Sequence, residues 1–233
     1  DDLSYHGTVA AQWLVDGQFS IVPSTYQIYY PFGAELLSLW FMLPFKDDTY
    51  VSLAGFYWMI LASSSIYGIV RGSGSSPAVG MLITAAFLAS PKLVGNIVGS
   101  IGSFSVNDLA GAALVIAAIA VVQPSEHEGQ AERRVELVLS GLLAGMAVGC
   151  KVAYAPAVFI LLCWLVVSRD RFLPGVSRWS IFLLYSAMAL AAGGYWYARN
   201  LFLTGNPLFP AGFGPLWGPF DAETQTRTTA WYW

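Results

Sequence analysis

The sequence predicts an all-α protein: a polytopic transmembrane helical bundle with interfacial amphipathic helices in its first outer loop. Composition is the first observation behind that prediction. Of 233 residues, 56% are hydrophobic and 11% charged, with a mean hydropathy of +0.59. A soluble domain carries about 25% charged residues, so this chain has too little polar surface to stay dissolved. The second observation is a series of apolar runs at about 52–70, 76–90, 106–123, 136–149, 154–168 and 180–197. A single membrane domain is therefore expected over 1–233. It comprises an outer loop with two interfacial helices (1–51), about six transmembrane helices (52–197) and a second outer loop (198–233).

The elements follow in order. Residues 3–16 place Leu3, Val9, Ala10, Trp13 and Leu14 at helical spacing, with Asp2 as a candidate N-cap and Gly17 just past the end. Such a helix is too short and too polar to span, and is expected to lie along the membrane surface. Residues 18–30 read as a loop rich in Tyr, Ser and Pro. Pro31 opens a second apolar helix, about 32–45, which carries Glu35 and ends at Pro44-Phe45-Lys46-Asp47-Asp48. Crossing a hydrocarbon core of ~30 Å takes about 20 apolar residues. The first, third and sixth runs meet or approach that length, and the others are short. The stretch 136–168 reads as two thin spans in preference to a re-entrant hairpin. Gly141, Gly145 and Gly149 recur every four residues, which bares one helix face for close packing. No internal repeat relates the two halves, which counts against a secondary transporter.

Charge supplies an orientation. With 198–233 extracytoplasmic, the inner loops hold Arg71, Arg133, Arg134, Arg169, Arg171 and Arg178. The outer side holds Lys46, Lys92, Lys151, Arg199 and Arg227. The inner arginines cluster in short loops, where the positive-inside rule acts most strongly. This arrangement puts Asp1, Asp2, Asp47, Asp48 and Asp108 outside, and requires helix 32–45 to dip into the outer interface without crossing. A net charge of -3 and the lack of a basic tract argue against nucleic acid. Cys150 and Cys163 lack metal-ligand spacing and read as packing residues. The chain opens on Asp without a signal peptide and stops at Trp233 without a closing element, so a fragment of a longer protein is expected.

Several polar residues at the outer edge could carry chemistry. Asp108, in Ser105-Val106-Asn107-Asp108, fits a capping box and suits a helix dipole, and equally fits a carboxylate facing a pocket. Asp2 is a helix cap or, with Asp1, a general base for an acceptor hydroxyl; the sequence does not choose between the two. Lys92, Lys151 and Arg199 lie near the outer ends of apolar runs, where a cation either snorkels to water or meets a phosphate leaving group. Lys151 follows Gly149-Cys150 between two short spans, with little room to reach water. His6, one turn after Asp2, is either structural or a contact for a substrate hydroxyl or metal. His127 reads as a solvated residue of the inner loop. The Pro-, Gly- and aromatic-rich stretch from Trp196 to Pro210 suits a headgroup belt, or a surface that stacks on sugar rings.

Taken together, these residues resemble the GT-C superfamily of membrane glycosyltransferases. The likeness is to the bacterial branch similar to protein O-mannosyltransferases, aminoarabinose lipid A transferases and the rhizobial galacturonosyltransferase-like domain. Four motifs carry it in order: Asp1-Asp2-x-x-Tyr5-His6 with Trp13 and Gly17; Tyr30-Pro31 with Glu35-Leu36-Leu37; Pro91 followed by Asn107-Asp108; and Trp196-Tyr197-x-Arg199-Asn200 followed by Gly205-Asn206-Pro207-Leu208-Phe209-Pro210. The resemblance implies transfer of a sugar from a polyprenyl-phosphate donor to a glycan, lipid or protein acceptor. It places the active site on the extracytoplasmic face of a bacterial inner membrane, in contact with membrane lipids. By carry-over, Asp1 or Asp2 would be the catalytic base and Asp108 a second acidic catalytic residue. His6, Glu35, Lys92, Lys151 and Arg199 would bind substrate. Metal dependence varies across the superfamily, so no cofactor is certain and a divalent metal stays open. A first transmembrane helix before Asp1 and further C-terminal spans would be missing. The rivals are a noncatalytic transporter or lipid-handling protein, and a scaffold subunit.

Overall fold

In the computed structural model, which describes residues 6–20, 26–51, 53–90, 107–123, 129–212, 215–216 and 218, every regular element is a helix. Two short helices come first, α1 (Gly7–Asp16) and α2 (Gly33–Met42). The bundle proper comprises α3 (Leu53–Gly72), α4 (Pro77–Leu88), α5 (Asn107–Val121), α6 (Gln130–Cys150), α7 (Ala155–Val167), the single turn α8 (Arg169–Phe172) and α9 (Arg178–Gly193). The chain then turns into α10 (Tyr195–Thr204). Local signals explain the boundaries. Gly17 takes a left-handed conformation (φ 63°) and stops α1, as its position predicts. Ser76 accepts a hydrogen bond from the Val79 amide ahead of Pro77 and starts α4, and Ser177 does the same for α9 through Ser180.

The helices of the bundle alternate in direction, so one end gathers the start of α5 and the ends of α6 and α9, and the other gathers Arg71, Arg133, Arg134, Arg169 and Arg178. At the basic end, Gly72 of α3 faces Gln123 beyond α5, and Arg133 donates to the Gln123 carbonyl at 3.0 Å while covering the Phe172 ring. Helix α6 is central, flanked chiefly by α9 and α5, with α3 and then α4 beyond α5. Small residues make this layering tight. Ala110, Ala113, Ala117 and Ala118 of α5 are buried. A Cβ on Gly145 would collide with the Ala189 carbonyl of α9, and one on Gly141 would sit 3.0 Å from the Tyr185 carbonyl. The repeated glycines thus do what their spacing predicts: they let two backbones touch. The outward faces of α3, α4, α7 and α9 instead carry large apolar side chains, among them Ile60, Leu82, Ile160, Val167 and Leu190.

Among the described residues, one helix, α3, is long and apolar enough to cross a membrane, or two when α9 and α10 count as one bent span. Helices α2, α4, α5 and the segment Val152–Val167 are shorter apolar helices. Two expectations need correction. The fourth helix starts earlier than its apolar run: α6 extends over 21 residues because its polar first turns, from Gln130 through Arg134, are helical too. The last run does not continue to 197. It breaks at Gly193-Gly194, and α10 departs at 69°. Gly193 lies against the Gly145 backbone of α6, too close for any side chain, and the chain turns there. The proposed Asp2 cap and the Ser105 capping box lie outside the described residues.

Candidate functional site

The end opposite the arginines brings together residues far apart in sequence. Helix α2 reaches it because Gly33 packs directly on the α6 backbone, 2.7 Å from its Cβ position to the Gly149 carbonyl. Two residues on, Glu35 is fully buried in the first turn of α2. Its Oε1 is hydrogen-bonded to His6 Nδ1 and accepts, at 2.8 Å, from Asn107 Nδ2 at the start of α5. Asn107 Nδ2 also lies 3.4 Å from His6 Nδ1, so the three side chains converge on one point. Glu35 Oε2 and Asn107 Oδ1 are buried with no hydrogen-bond partner among the described residues. A buried acceptor in that condition is expensive, and such sites are where bound water or ligand atoms are expected.

The next residue faces the other way. Asp108 points outward, and its Oδ1 lies 2.6 Å from Lys151 Nζ, just past the end of α6. The two side chains are 70% and 49% exposed, so this pair is solvated. Lys151 was expected to have little room to reach water; the 3-10 turn Val152–Tyr154 after it opens the chain and lets it out. Tyr154 closes the arrangement by donating its hydroxyl to the Asp108 carbonyl at 2.6 Å, with its ring against Gly111 one turn into α5.

A third cluster sits beside these two. Arg199 of α10 donates to the Ile28 carbonyl at 3.0 Å and to Asn200 Oδ1, and its guanidinium lies 5.0 Å from the Trp196 ring centre. Buried Asn200 donates to the Tyr29 and Phe209 carbonyls at 2.8 and 3.1 Å. Trp196 in turn stacks on Trp13 at 6.0 Å and meets Phe32 edge-on. This cluster ties α10 to the turn before α2. Arg199 helps hold that loop through Nε and Nη2, which donate to Asn200 and to the Ile28 carbonyl.

Of the residues singled out by sequence, His6, Glu35, Asp108, Lys151 and Arg199 all come to this end. Asp1, Asp2 and Lys92 lie outside the described residues. Sequence reading named Asn107 and Asn200 within motifs without giving either a role. A clue was available: a polar amide beside a charged residue at the edge of an apolar run must find partners if it turns inward. Among the described residues, no three of His, Cys, Asp and Glu are grouped so as to hold a metal ion. In the same half of the bundle, an open, almost wholly apolar groove of about 440 Å³ runs between α7 and α9 over α6. Gly145, Phe159, Leu162, Ala189 and Leu190 line it, and Tyr197 borders it while donating to the Val148 carbonyl at 2.7 Å.

Comparison with known proteins adds little to the geometry. No family model matches the chain. No solved structure matches it. Part of it is similar to an uncharacterized protein of Shigella flexneri, 40% identical over 53 residues that make up 21% of this chain and 29% of that protein. The chain thus spans less than a third of the curated relative it matches.

Proposed function

We propose that the chain belongs to a membrane glycosyltransferase that moves a sugar from a polyprenyl-phosphate donor to an acceptor hydroxyl on the extracytoplasmic face of a bacterial inner membrane. One observation carries the reading: a lateral apolar groove and an exposed Asp108–Lys151 pair occupy the same half of the bundle, joined through Tyr154 and Ala155. A lipid-linked substrate needs both, a path for the chain and polar groups for its head. The belt of outward apolar side chains on α3, α4, α7 and α9 supports several spans, and the arginines at the other end support that end as cytoplasmic. In the reaction, a carboxylate (Asp1 or Asp2 by the resemblance) removes the acceptor hydroxyl proton. The resulting oxygen attacks the anomeric carbon, the bond from that carbon to the phosphate oxygen breaks, and the lipid phosphate leaves with the electron pair. Lys151, half-exposed beside Asp108, is the cation best placed to meet that phosphate.

The groove's nearly wholly apolar lining also favours the runner-up, a lipid-handling protein without catalysis. Transfer from radiolabelled polyprenyl-phosphate sugars separates the two, measured with the full-length protein in membranes. Asp1→Asn or Asp2→Asn should abolish transfer with donor binding retained, and Asp108→Asn should lower it. Donor binding without transfer by the unaltered protein would establish the runner-up instead.

A further inference from the structure

We propose that Glu35 and Asn107 are positioning residues that fix the rotation of α5's first turn and thereby the outward projection of Asp108 toward Lys151. Consecutive residues of a helix point about 100° apart. At the start of α5 that angle separates two environments: Asn107 turns inward to the buried Glu35 carboxylate, and Asp108 turns outward to Lys151. The first turn of a helix has no backbone partners for its own amides and is the part most free to fray. Glu35 supplies a fixed, buried acceptor at that point, itself held by His6 and by the packing of Gly33 on Gly149. Tyr154 holds the Asp108 carbonyl from the other side. Rotation of the turn would break the bond from Asn107 to that buried carboxylate. The buried carboxylate, separated from the solvated pair by Asn107, acts on Asp108 through the backbone alone.

As regards turnover, this inference rests on the glycosyltransferase reading; as regards geometry, it stands apart from it. The geometric test uses the full-length protein with Asp108→Cys and Lys151→Cys in a Cys150→Ala, Cys163→Ser background. The probe is a short bis-methanethiosulfonate cross-linker, and the readout is the rate of cross-link formation well below the thermal transition. Adding Asn107→Ala should slow cross-linking about tenfold, the factor expected for a lost hydrogen bond to a charged group. Adding Glu35→Gln, which keeps an acceptor for Asn107, should leave the rate within about twofold to threefold of the parent. In the native-cysteine protein, Asn107→Ala should lower kcat for transfer with KM nearly unchanged. A lowered melting temperature with an unchanged cross-linking rate would overturn the proposal and leave Asn107 a purely structural residue. A slowed rate in a protein that transfers no sugar would sustain the positioning role and sink the glycosyltransferase reading instead.

Discussion

A buried His6–Glu35 pair and an exposed Lys151–Asp108 ion pair meet the first turn of α5 from opposite sides. His6–Glu35, reached through Asn107, has side chains 7% and 0% exposed, whereas Lys151–Asp108 has side chains 49% and 70% exposed. The residue types are ordinary in both, so burial alone sets what each can do. A pair removed from water holds its surroundings in place, because losing one partner strands the other where nothing solvates it. A solvated pair is worth about 0–1 kcal/mol, and either member can exchange its partner for a substrate at little penalty. The buried pair is therefore read as frame and the exposed pair as working surface.

The largest expected effect comes from breaking the frame. Glu35→Ala removes the fully buried carboxylate that His6 and Asn107 share, and should destabilise the fold by about 3–5 kcal/mol. Thermal unfolding of the detergent-solubilised protein would report it as a fall in midpoint or as a loss of folded yield. A variant that melted with the parent would show that the pair is no frame, and the contrast between the two regions would collapse.

Asn200→Ala is expected to be intermediate. Asn200 is buried and uncharged, and it serves two carbonyls, those of Tyr29 and Phe209. Its removal should destabilise by about 1–3 kcal/mol, the penalty for stranding buried backbone acceptors. The same melting measurement ranks it against Glu35→Ala. A larger effect from Asn200 than from Glu35 would move the frame from the His6 side of the site to the α10 side.

Much of this was legible in the sequence, for reasons that differ by residue. Each apolar run of the bundle became a helix, because a stretch such as 106–123 has few polar groups to satisfy outside its own backbone. Gly141, Gly145 and Gly149 announced a packed face by spacing. The edge residues were legible as a set, since His6, Glu35, Asp108, Lys151 and Arg199 do share one end. Their roles were not. Whether Glu35 faces core or water depends on Gly33 meeting Gly149, a contact 116 residues apart in the chain that leaves no local pattern. The tie from Arg199 to the Ile28 carbonyl left no mark in the sequence, because a backbone acceptor is present at every residue. The polar opening of α6 looked like loop because Glu132, Arg133 and Arg134 dilute the hydropathy that marked the rest of it. The break at Gly193-Gly194 was visible as two glycines, but only the approach of α6 makes them a corner.

The smallest expected effect on stability is the one that sharpens the comparison most. Lys151→Ala removes a half-exposed side chain from a solvated pair, and should change the melting free energy by no more than about 1 kcal/mol. Asp108 would remain in water, where its charge needs no partner. If Lys151 meets the departing lipid phosphate, the same substitution should lower transfer by about a hundredfold, in the range found for losing one preorganised charge-stabilising group. Stability and turnover would then separate at Lys151 and move together at Glu35. That opposition follows from exposure alone, since a group that water can solvate has little to contribute to folding and is free to be spent on a substrate. Measuring both quantities on both variants tests it directly: equal losses of stability at the two positions would mean that Lys151 is a second brace, and the phosphate would need another cation.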